Sequence, residues 1–116
     1  MDKVDKKFYI FERENYREKF DLKILGNDIK VGVANINAMN RGDMENVILH
    51  SKTKNTIIFD NFEKGSEFLR KEILDGIDKT LPNFIIFAIN PKSDNHLKVK
   101  LGIMSRYKCE IINDII

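Results

Sequence analysis

Apolar and polar residues alternate along much of this chain, and the alternation predicts strands. In residues 7–12, Phe8 and Ile10 point one way and Tyr9 and Phe11 the other, an aromatic, β-forming run that calls for cover on both sides. Phe20, Leu22 and Ile24 alternate with Asp21 and Lys23, and beyond Gly26-Asn27 Ile29, Val31 and Val33 alternate with Lys30 and Gly32, which predicts a hairpin. In that register Ile24 faces Ile29 and Leu22 faces Val31. On the other face Lys23 meets Lys30, a like-charge pairing that is unfavourable unless water or an anion separates the two.

Residues 35–45 are rich in Asn, Gly and Asp and predict the longest loop. A second hairpin is predicted from Val47-Ile48-Leu49 and Thr56-Ile57-Ile58-Phe59, turning through the basic segment Lys52-Thr53-Lys54-Asn55. The period then changes. Phe68, Leu69, Ile73, Ile77 and Leu81 recur at three- and four-residue spacing, one stripe of an amphipathic helix over residues 66–81. Ser66 suits its N-cap, Glu67 and Lys79 complement the macrodipole, and Pro82 stops it. Gly76 weakens this helix by up to ~1 kcal/mol relative to alanine and permits close approach to a sheet.

Residues 84–89 are apolar throughout, as in a central strand covered on both faces, and Asn90-Pro91 ends the run. Leu97, Val99, Leu101 and Ile103 alternate with Lys98, Lys100, Gly102 and Met104, predicting a half-buried strand with a basic outer face. Residues 109–112 predict a last strand. Strands, then one helix, then strands again predict an α+β fold: a mainly antiparallel sheet of about six or seven strands with one long helix (about 66–81) packed across one face. The other sheet face is then left to solvent or a partner. No repeat or linker divides the chain, so residues 1–116 are expected to form a single domain.

Composition narrows the class. The chain is 42% apolar and 33% charged, which supports a folded core, and its longest apolar run falls far short of the ~20 residues that cross a bilayer. No signal-peptide core is visible near Met1. The single cysteine, Cys109, excludes an intrachain disulfide and a four-cysteine zinc site, so a cytoplasmic location is expected. Abundant Ile, Lys and Asn without Trp fit an AT-rich prokaryotic or phage genome. A net charge of +2, from 20 basic and 18 acidic residues, points to no particular partner.

Phosphate loops, dinucleotide glycine fingerprints and nucleophile elbows are absent from the sequence, so no cofactor and no metal is expected. His50, on an expected strand, and His96, in an expected loop, are candidates for a small enzyme only if one of them meets a carboxylate in a concave pocket. Cys109 reads as a packed strand residue rather than a reactive thiol. Glu63, Glu67, Glu72, Asp75 and Asp78, interspersed with Arg70, Lys71 and Lys79, read as a solvated helix face. Arg41-Gly42-Asp43 reads as a turn.

The strongest feature is basic. Lys92, Lys98, Lys100, Arg106 and Lys108 face only Asp94 in sign. If the strand faces align, Lys98 and Lys100 join Lys23 and Lys30 in a cationic patch, with Tyr107 beside it for stacking. A one-sided sheet without a catalytic constellation favours a small protein-binding module over an enzyme. It would be of the immunity-protein or phage-inhibitor type, meeting an acidic protein surface through Lys23, Lys30, Lys98, Lys100, Arg106 and Tyr107. Nucleic-acid binding by the same lysines is the alternative, marked by steep salt dependence. Oligomeric state is open, because Ile111, Ile112, Ile115 and Ile116 suit either core closure or pairing with a second chain.

Overall fold

The computed structural model describes residues 6–12, 30–40, 42–80 and 82–113. Among them lie five strands, β1 (Lys7–Glu12), β2 (Val31–Asn35), β3 (Thr56–Asp60), β4 (Phe84–Ile89) and β5 (Cys109–Asn113), in the spatial order β2-β3-β4-β1-β5. Every neighbouring pair is parallel. Helices α1 (Met44–His50), α2 (Glu67–Gly76) and α3 (His96–Met104) join β2 to β3, β3 to β4 and β4 to β5. The fold is therefore α/β with a single parallel sheet and three short helices, and the expected α+β fold, with its antiparallel sheet and one long helix, is incorrect.

The handedness of parallel connections accounts for the layering. Successive links from β2 to β5 all advance in one direction across the sheet, so right-handed crossovers place their helices on one face. Met44, Leu69, Ile73, Ile77, Val99 and Ile103 accordingly pack with Ile10, Ile57, Phe59, Ile85 and Phe87 in one core. Tyr9, Phe11, Ile58, Ile86 and Ala88 form a second cluster on the opposite face, and they too are buried. The open sheet face anticipated from a single helix does not exist over the central strands.

Two stretches predicted as strands are helices. Val47-Ile48-Leu49 belongs to α1, whose buried Met44 and partly buried Val47 and Ile48 stand at i, i+3 and i+4, a spacing hidden when residues 35–45 are taken as loop. The second hairpin thereby disappears. Residues 97–104 belong to α3. Of the other expected hairpin, Val31 and Val33 lie on β2, which pairs in parallel with β3, Val33 against Ile58; residues 20–24, Lys23 among them, are outside the described residues.

The central helix begins where expected, with Ser66 Oγ accepting the Leu69 N–H at 3.1 Å, but α2 gives way to a 3₁₀ turn at Ile77–Lys79. Gly76 permits close packing, though against α1 rather than the sheet: a Cβ there would stand 2.9 Å from Met44 Cγ. No helix among the described residues is long and apolar enough to cross a membrane.

Candidate functional site

Residues two apart on a helix point about 200° away from each other, so an apolar alternation wound into a helix makes two opposed stripes. This is the condition of α3. Val99 and Ile103 are buried in the core, whereas Leu97, Leu101 and Met104, spaced i, i+4 and i+7, are 63%, 55% and 41% exposed. Ile111 on β5 is 45% exposed, and its register with Ile10 places it on the same side of the sheet as the helices. Among the described residues β5 is an edge strand, with β1 as its neighbour.

The cations singled out in the sequence are arranged differently from a patch. Lys100 Nζ donates to Glu12 Oε1 at 3.1 Å, and the other oxygen of that carboxylate lies 2.9 Å from His96 Nε2, so β1 and the first turn of α3 are tied together. All three side chains are less than one-fifth exposed. Lys98 reaches across to Glu67 on α2, whose carboxyl is held below its usual range by this hydrogen bond and by the cation's charge. Arg106 Nη2 donates to Asp75 Oδ1 at 2.8 Å, which raises the guanidinium further.

Tyr107 stacks on Phe8 with ring centroids 4.0 Å apart and donates its hydroxyl to the Leu74 carbonyl at 3.1 Å; burial, first, pushes its phenol upward. It works as a clasp between α2 and β1. Lys30 precedes β2 at the opposite edge of the sheet. Of the predicted partner-binding residues, then, Lys98, Lys100, Arg106 and Tyr107 come together around α3, Lys30 stands apart, and Lys23 lies outside the described residues. Lys98 and Lys100 share no strand face, because the segment is helical.

Sequence reasoning missed Glu12 and misplaced Glu63. Glu12 closes an apolar strand, and in a parallel sheet the carboxyl ends of strands are where polar groups converge. Glu63 is buried rather than solvated: Oε1 accepts the Asn90 N–H at 3.1 Å, its backbone carbonyl accepts from Asn95 Nδ2 at 2.9 Å, and Oε2 has no partner among the described residues. The two conditions set for an enzyme fall on different histidines. His96 meets a carboxylate, whereas a concavity of about 460 Å³ between β2 and α1 is lined by His50. No cluster of three or more His, Cys, Asp or Glu among the described residues is placed to hold a metal ion. Cys109 is half-buried, its thiol 3.4 Å from the Tyr107 carbonyl, and burial pushes it up to about 11. Comparison of the chain with protein-family models, curated proteins and solved structures finds no match.

Proposed function

We propose that this domain is a protein-binding module whose contact surface is the outer stripe of α3. One observation carries the reading: Leu97, Leu101 and Met104 stand exposed in line on a helix whose opposite stripe is already buried in the core. An aligned apolar row on a surface helix is what helix-groove and helix-helix contacts use, and it costs solubility when left bare. The row lies beside the exposed Lys98, whose charge is already matched by Glu67, so the matching partner surface is mainly apolar. The ion pairs of Lys98, Lys100 and Arg106 count against these three cations serving mainly as phosphate contacts.

The test captures proteins from cells that make this chain, using the natural sequence and Leu101→Asp, and then titrates each captured protein, purified, against both. Burying an aspartate at the centre of an apolar contact predicts at least about a thirtyfold loss of affinity, and Lys98→Glu a smaller, salt-dependent loss. The reading fails if Leu101→Asp binds every partner unchanged, or if the recovered material is nucleic acid that nuclease removes. Light scattering on the purified chain decides between a partner and a second copy: a dimer abolished by Leu101→Asp assigns the stripe to self-association and overturns a separate partner.

A further inference from the structure

The geometry points to a second site, the groove between β2 and α1, as a binding site for a small anion with an apolar body. Gly32, Ala34 and Ile57 on the sheet side and Val47 on α1 line a space of about 460 Å³, within the ~300–1,000 Å³ range of small-ligand pockets. The floor is low because glycine and alanine occupy the two β2 positions that face the helices, while α1 is only seven residues long. Asn46, His50 and Lys54 also line the groove, and none of the three has a side-chain hydrogen bond or ion pair among the described residues. The Lys54 stem lies over the floor, with Cγ 3.4 Å from where a Gly32 Cβ would be.

Charge selects the ligand. Lys54 has Lys52 and Lys30 for neighbours, Lys30 joined to the same turn through Asn55 Oδ1, and these three lysines form no ion pair among the described residues. They differ in this from Lys98 and Lys100 on α3 and Arg106 just after it, all three of which are paired. Asp43 is the one acid lining the groove, and it accepts the Asn40 N–H at 2.8 Å. An apolar floor with unpaired donors and a local cationic excess suits an aromatic or aliphatic carboxylate, sulfonate or phosphate monoester, its body on Ala34 and Val47 and its charge on Lys54 and His50.

The probe is naphthalene-2-sulfonate, titrated into the full chain while amide and methyl NMR shifts are followed, with the neutral naphthalene-2-sulfonamide as its partner. Saturable shifts confined to Gly32, Ala34 and Val47, about tenfold weaker with the sulfonamide and with Lys54→Gln, are the expected result. Lys54→Gln leaves the core intact, and Ala34→Leu, if it folds, removes binding by filling the groove. Equal binding of sulfonate and sulfonamide overturns the anion assignment; shifts centred on Leu97 and Leu101, or none that saturate, overturn the site. Leu101→Asp leaves this titration unchanged, which separates its outcome from that of the α3 surface.

Discussion

A half-buried thiol and a buried carboxyl give the clearest residue-level expectations. The Cys109 thiol ionises near 9.0 ordinarily and near about 11 in the fold, so the folded state keeps a proton that the unfolded chain gives up. Its contribution to stability is whole below about pH 9 and is lost as the pH climbs towards about 11. Urea-unfolding midpoints across that interval should fall less steeply in Cys109→Ala than in the natural chain, and alkylation of the native thiol near neutral pH should be slow. Glu63 presents the opposite problem, an acceptor oxygen in use beside one that is buried without a partner among the described residues. Glu63→Ala strands the Asn90 N–H and should cost about 1–3 kcal/mol, whereas Glu63→Gln keeps that acceptor, removes a buried ionisable group and should cost less, both read from unfolding midpoints. Neither role was visible from composition. A glutamate three residues ahead of a helix cap ordinarily faces water, and only the loop carrying Asn90 and Asn95 closes over this one.

The elements divide by how their periodicity behaves. β1 and β4 were legible to the residue because both are apolar on successive positions, which suits strands buried on two faces. The start of α2 was legible because Ser66 and a four-residue period agree. α3 was not, since a period of two contains a period of four: Leu97 with Leu101, and Val99 with Ile103, satisfy either winding. The two windings differ in energetic signature. A strand would bury all four residues alike, whereas in α3 Ile103→Ala should cost about 2–5 kcal/mol and Leu101→Gln should fall within about 0.5 kcal/mol of the natural chain. Circular dichroism melts of the two variants make the comparison. The strand face assigned to Lys98 and Lys100 was therefore misread together with its helix: in α3 Lys98 pairs with Glu67 and Lys100 with Glu12.

Across the whole molecule, the sheet order sets β1 between β4 and β5, so the first strand is completed by partners more than seventy residues later in the chain. Ladders this non-local cannot form until most of the chain has collapsed, and refolding by stopped-flow should fall in the millisecond-to-second range rather than the microseconds of small helical bundles, at about 10⁰–10³ s⁻¹. Local chemistry was enough to establish which residues are apolar, where Ser66 starts a helix, where Asn90-Pro91 ends a strand, and that Cys109 has no disulfide partner in the chain. Those are properties of neighbours in sequence. Parallel pairing, the burial of both sheet faces over the central strands, the winding of residues 97–104 and the convergence of Glu12, His96 and Lys100 came from the packed fold, because each depends on which distant segment lies alongside. Hydrophobic burial has no direction and rewards any arrangement that covers the apolar run at residues 84–89; the right-handed crossover then selects which side the helices take, and with it which leucines of α3 are left in water.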